Sequence, residues 1–308
     1  MKWCVYVITF ISVGFSAYCG IKTDKEMTND LTRAISPNPF FIPADRVKEI
    51  TECYDLEVER LLQMLIPIAQ SYARPFISNY KVGVAALGKS GNIYLGVNLE
   101  FLGVPLNAVI HGEQFAMTNA RGHGETELIS IALSAAPCGH CRQFLNEMAG
   151  SDNLQILVPG CEGTSLSSLL PKSFGPKDLG LQGGLLATLE DTFSYDELDC
   201  PLSVKATEAA FASYAPYSES KSGIAIRTKE GKIYTGSYLE NVALNPSISP
   251  LQAALILLVV DGKEYCEISE VTLAEKQSSK ISQEALSREL LRNIAPEAVF
   301  NIKKLEHL

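Results

Sequence analysis

The strongest constraint on the fold is internal. Sliding the chain of 308 residues against itself by 140 positions brings Ser78, Lys81, Gly83, Ala85, Lys89 and Gly91 onto identical residues at 218, 221, 223, 225, 229 and 231. The match runs on without a gap through Ile93, Tyr94, Gly96, Leu99 and Glu100, which meet Ile233, Tyr234, Gly236, Leu239 and Glu240. Eleven of twenty-three positions are thus identical, where average composition gives roughly one or two. A period this long lies far outside the roughly 20–50 residues of solenoid repeats, so the chain is a duplicated domain rather than a repeat array. The length agrees, at about 100–200 residues per domain. The first domain is expected over residues 48–180 and the second over 190–308. A linker is expected between Gly175 and Ser194, where Gly180, Gly183 and Gly184 cluster.

Within the first copy the apolar positions Val47, Ile50, Leu56, Leu61, Leu62, Leu65, Ile66 and Ala69 recur at helical spacing, and Pro67 should cap or kink the run, giving two helices over Ala44 to Arg74. Tyr80 to Leu87 and Asn92 to Asn98 read as strands joined by a turn at Lys89, Ser90 and Gly91. A helix around His111 to Ala120, a strand over Leu128 to Ser134, a helix over Cys138 to Met148 and a strand over Leu154 to Val158 follow. This alternation predicts an α/β fold with helices layered on a sheet. Residues 20–47 carry Pro37, Pro39 and Pro43 and read as an extended N-terminal segment.

Residues 1–19 form a possible signal-like leader: Lys2, an apolar run from Trp3 to Phe15, then Ser16 and Ala17. The alternative is an apolar extension of the body. The run is too short to span a hydrocarbon core of ~30 Å, and nothing elsewhere reaches the length of a span. Of eight cysteines, Cys4 and Cys19 belong to this region. The other six are too sparse for a disulfide framework. Acidic residues outnumber basic ones, 35 to 26, and the net charge of -9 opposes a phosphate backbone. Polynucleotide partners are therefore disfavoured, and small neutral ligands fit better.

The chemistry concentrates at His111, Gly112, Glu113 and, twenty-four residues beyond Glu113, Pro137, Cys138, Gly139, His140, Cys141. This H-x-E with P-C-x-x-C is similar to the zinc nucleobase deaminase pattern, in which one His and two Cys hold Zn²⁺ and the Glu stays off the metal. Physical reasons suit it. Two thiolates with two residues between them can face one ion where a helix starts between them, and the positive end of that helix favours thiolate. Three protein ligands would leave a fourth position for a water acidified by the ion. Glu113, two residues past His111, would then shuttle protons. A lone C-x-x-C could also be a redox pair or half of a structural zinc site, but neither needs Glu113. His140 reads as a helix-start residue rather than a ligand.

The second copy acts as an internal control. At the constant offset of 140, His111 meets Leu251, Glu113 meets Ala253, and Cys138 and Cys141 meet Ser278 and Ile281. Every chemical residue is missing, so one zinc ion and one active site per chain are expected.

On these residues the chain resembles cytidine deaminase in its long, homodimeric form, a catalytic zinc domain followed by a degenerate non-catalytic copy. The resemblance extends to Asn98–Phe101, Ser78–Gly83, Pro137–Gln143, Leu170–Leu179 and Pro250–Leu255. It implies two tandem three-layer α/β/α domains preceded by a short helical segment. The implied site is Glu113 as catalytic residue, His111, Cys138 and Cys141 on zinc, Asn98 and Glu100 on the ribose hydroxyls, Tyr80 against the pyrimidine, and Phe174 reaching into a partner subunit's site. The implied reaction is hydrolysis of cytidine and 2′-deoxycytidine to the uridines and ammonia, as in pyrimidine salvage. A homodimer with shared sites, free of nucleic acid and membrane, is implied with it. The resemblance points to the cytosol, whereas residues 1–17 resemble a secretory leader. Deamination of another aminopyrimidine or of polynucleotide cytosine, and zinc-stabilised nucleoside binding without turnover, are the alternatives. The family usually carries Ala or Val where this chain has Gly112, which should loosen the helix by ~1 kcal/mol relative to Ala.

Overall fold

The computed structural model describes residues 24–181, 183–187 and 200–306. The expected leader, the second half of the expected linker and the last two residues lie outside the described residues. The N-terminal segment is not extended throughout. Helix α1 spans Asp24–Ala34, and Leu31 and Ile35 bury against the body, so the first proline enters only after a helix has formed. Two further helices follow, α2 (Ala44–Tyr54) and α3 (Val58–Ser71). The break between them is Asp55, in the left-handed region at φ 51°, while Pro67 lies inside α3. The sequence placed the interruption at the wrong residue.

The first sheet is built on the expected hairpin. Strands β1 (Phe41–Ile42), β2 (Gly83–Gly88), β3 (Ile93–Val97), β4 (Leu128–Leu133), β5 (Gln155–Leu157) and β6 (Thr164–Ser165) lie in the order β1-β3-β2-β4-β5-β6. Only the β4–β5 pair is parallel. On one face Ala85, Leu95 and Ala132 meet Leu61, Leu62 and Leu65 of α3. On the other, Val84, Ala86 and Ile131 meet helices α4 (Gly112–Gly122) and α5 (Gly139–Leu145). This is the expected three-layer arrangement, with alternate strand residues feeding the two cores.

After the short helix α6 (Leu166–Leu169), the second copy repeats the plan. Helix α7 (Pro201–Phe211) covers one face of β7 (Ser222–Thr228), β8 (Ile233–Ser237), β9 (Ile268–Lys276) and β10 (Val299–Leu305). Helices α8 (Pro250–Val260) and α9 (Glu284–Ile294) cover the other. The order β10-β9-β7-β8 mirrors β5-β4-β2-β3, and the pair β9–β10 is again parallel.

Two repeated glycines set the layer spacing. A Cβ on Gly96 would lie 2.3 Å from the Gly112 carbonyl oxygen, and one on Gly236 would lie 2.2 Å from that of Pro250. The sheets and helices therefore approach backbone to backbone in both copies, which only glycine permits.

The structure also corrects the offset. The bridge Leu99–Ile110 has the counterpart Leu239–Ile248, so this loop is two residues shorter in the second copy. The N-cap of α4, His111, corresponds to Ser249, the N-cap of α8, and Glu113 to Leu251. Likewise Cys138, the N-cap of α5, corresponds to Gln283, the N-cap of α9, and Cys141 to Leu286. The constant offset failed because the length changes fall in loops, where they cost little. The degenerate copy lacks all four residues under either mapping.

The two copies meet through α4 and α8. Gln114, in the first turn of α4, donates to the Pro246 carbonyl at 3.0 Å, and Gln252, in the first turn of α8, donates to the Ala108 carbonyl at 3.0 Å. These reciprocal bonds follow the internal pseudo-twofold. Helix α8 is apolar nearly all round because it is buried on nearly every side.

Candidate metal centre and active site

Two helix starts converge at the site. His111 caps α4, and its backbone N–H donates to Gln114 Oε1 at 3.1 Å, so the turn that presents the imidazole is fixed by its own helix. Cys138 caps α5 and Cys141 lies in its first turn. Arg142 pins this segment, with Nε donating to the Pro137 carbonyl and Nη1 to the Leu169 carbonyl, each at 2.8 Å.

The donor atoms of His111, Cys138 and Cys141 lie within 4.8 Å of one another. Cys138 Sγ is 3.5 Å from Cys141 Sγ and 3.7 Å from His111 Nδ1. Tetrahedral zinc with bonds of about 2.3 Å to sulfur and 2.0 Å to nitrogen needs donor separations of about 3.5–3.8 Å. The three residues therefore fit a zinc ion. The contacts with Cys141 and then His111 hold the Cys138 thiol down at about 3, and the same contact with Cys138, together with burial, pushes Cys141 up. The Cys138 contact raises His111.

Glu113 is buried in the first turn of α4, and burial pushes its carboxyl above the ordinary carboxylate range. His140 does not join the donors. Its ring stacks on His111 with centroids 4.9 Å apart, and its Nε2 lies 3.0 Å from Gln114 Nε2. An amide nitrogen can only donate, so His140 Nε2 accepts and the ring is neutral at that nitrogen. Burial and then His111 lower its pKa, in agreement. Sequence reasoning missed Gln114 and Arg142. The first was legible as the third residue of a helix whose cap it closes, and the second lay unremarked inside P-C-x-x-C-R-Q.

Asn98 and Glu100 are buried, and the Glu100 charge acts on His111. Asn98 Oδ1 accepts from the Val82 N–H, while its Nδ2 donates to the Tyr80 carbonyl and to Glu100 Oε1. Glu100 also accepts from the backbone of Ile77 and Ser78 and from the Ser78 hydroxyl. Burial raises its pKa, but these bonds outweigh it and hold the carboxyl below the ordinary range. In the second copy Glu240 accepts the same three bonds from Tyr217 and Ser218, so this glutamate organises its loop in both copies. Tyr80 is exposed. Phe174 is half exposed, and its carbonyl accepts from Gln143 and Asn146 at the carboxyl end of α5.

Two family profiles, both described as "Cytidine and deoxycytidylate deaminase zinc-binding region", match residues 56–156 and 166–288. Cytidine deaminases of Yersinia pestis (strain Pestoides F) and Yersinia pseudotuberculosis (strain IP 31758) are each 44% identical over 245 residues, 80% of this chain and 83% of the relative. A crystal structure of cytidine deaminase from Mycobacterium tuberculosis matches at 30% identity and a TM-score of 0.35, covering 38% of this chain and 96% of that one. With two tandem domains, and with the relatives aligned over most of their length, the chain belongs to the cytidine deaminase family of zinc-dependent enzymes.

Proposed function

We propose that this chain catalyses the hydrolytic deamination of cytidine and 2′-deoxycytidine, with His111, Cys138 and Cys141 holding zinc and Glu113 carrying the protons. The observation that carries the reading is the convergence of three donors with zinc spacing beside one buried carboxyl group. Bound there, zinc supplies an acidified water as the nucleophile. Glu113 would accept the first proton of that water and deliver it to the ring nitrogen next to the amino-bearing carbon as the C–O bond forms, then take the second proton from the new C–OH group and pass it to the amine, which leaves as ammonia when the C–N bond breaks. Burial raises the proton affinity of Glu113, which suits a group that must donate as well as accept. One water is consumed and one ammonia released per uridine formed.

Asn98 and Glu100 are proposed to meet the ribose. Their own bonds already fix them, so substrate would bind a preorganised pair. Tyr80 is proposed to pack on the pyrimidine, and Phe174 to extend into the site of a second subunit of a homodimer. The net charge of -9 favours a free nucleoside over polynucleotide cytosine. Ammonia release from cytidine, 2′-deoxycytidine and a single-stranded cytosine oligomer tests this. Turnover of the two nucleosides and not of the oligomer is expected. Turnover of the oligomer alone would overturn the substrate assignment.

A further inference from the structure

Helix α5 carries both cysteines yet has only seven residues, too short to hold itself together in water. Arg142 pins its start within the first domain, and its carboxyl end is held from the degenerate domain. Glu147, two residues past the end of α5, is fully buried. Its Oε1 accepts from the Tyr214 hydroxyl at 2.8 Å and from the Tyr217 hydroxyl, and its Oε2 accepts from the Val242 N–H at 2.8 Å. Asn241 Nδ2 donates to the Gln143 carbonyl of α5 at 2.9 Å.

This grip is not a product of the duplication. The Gln114 and Gln252 bonds repeat across the pseudo-twofold, whereas the counterpart of Tyr214 is Arg74, which pairs with Glu264, and the counterpart of Tyr217 is Ile77, whose side chain has no hydroxyl. Helix α9, the counterpart of α5, spans eleven residues. The second copy thus lacks the donor residues and carries two hydroxyls, without counterparts in the first copy, that close on the cysteine-bearing helix of the first. Among the described residues, the hydrogen-bonding partners of Glu147's carboxylate all come from the degenerate domain, so the carboxyl end of α5 is tied to that domain.

We propose that Glu147, held by Tyr214, Tyr217 and Val242, is a positioning residue that fixes α5 and thereby the Cys138 and Cys141 donors, and that supplying this clamp is a function of the degenerate domain. The proposal rests on the zinc reading given above. Zinc release to a chromogenic chelator, 4-(2-pyridylazo)resorcinol, is measured on the full zinc-loaded protein and on Glu147→Gln, Asn241→Ala and the double variant Tyr214→Phe with Tyr217→Phe. Leu31→Ala, which removes a buried side chain of α1 away from the clamp, controls for general loss of stability. Melting temperatures are recorded for all.

The clamp variants should release zinc at least about tenfold faster than wild type. They should also be faster than expected from the relation between release and melting temperature set by Leu31→Ala. Release at the wild-type rate, or release that follows that relation, overturns the proposal. Should Glu147→Gln not fold, the tyrosine double variant and Asn241→Ala decide, because both keep the carboxylate and most of the packing. A wild-type protein that takes up no zinc would instead overturn the zinc reading, and this proposal with it.

Discussion

At the level of single residues, His111, Cys138, Cys141 and Glu113 stood out because their spacing is a local pattern, and the structure brings the donor atoms of the first three within 4.8 Å of one another. Gly112 was less so. Taken alone it loosens a helix, but a Cβ there would lie 2.8 Å from Val84 Cγ2 and 2.9 Å from Val82 Cγ1. Both atoms belong to stiff β-branched side chains. Gly112→Ala is therefore expected to lower stability by about 1–2 kcal/mol in denaturant unfolding, despite its better helix propensity. Glu100 has a double use that sequence could only suggest through its twin. Glu100→Gln and Glu240→Gln should destabilise the fold comparably, whereas only Glu100→Gln should raise the KM for cytidine. The sign with pH follows from the lowered pKa of Glu100. Its advantage over Gln is present above the unfolded value of about 4.3 and is lost as pH falls through the lower folded value, so the stabilities of wild type and Glu100→Gln should converge in acid.

At the level of elements, the hairpin, both site helices and the two-helix N-terminal region of the catalytic copy were readable from periodicity and turn residues. Helix α1 was not, because the prolines of the same segment dominated the reading although they follow the helix. The offset between copies was misread past residue 100 because a loop two residues shorter leaves no mark on a gapless comparison. Arg142 shows what pattern alone omits: it ties the start of α5 to the Leu169 carbonyl. Arg142→Ala is expected to weaken zinc affinity by about tenfold, measured by competition with a chelator. The glycines that bring sheet to helix admit a sharper test. Gly96→Ala and Gly236→Ala each force a Cβ against backbone and should cost ~2–3 kcal/mol.

At the level of the whole molecule, duplication separated two demands on one fold. One copy kept the donors and Glu113, and the other kept the glycines, the loop-organising glutamate and the helix packing while its cap became Ser249. The division of labour was legible in outline from the missing ligands. The clamp on α5 was not, because Glu147 lies sixty-seven and seventy positions from Tyr214 and Tyr217 and the three carry no motif. The most direct test of the central claim is paired measurement of zinc content and cytidine turnover for wild type and Glu113→Gln. The expected result is about one zinc per chain in both, with turnover in the variant reduced at least about a hundredfold. A variant that turns over cytidine at the wild-type rate with its zinc in place would contradict the assignment of Glu113 as the proton carrier.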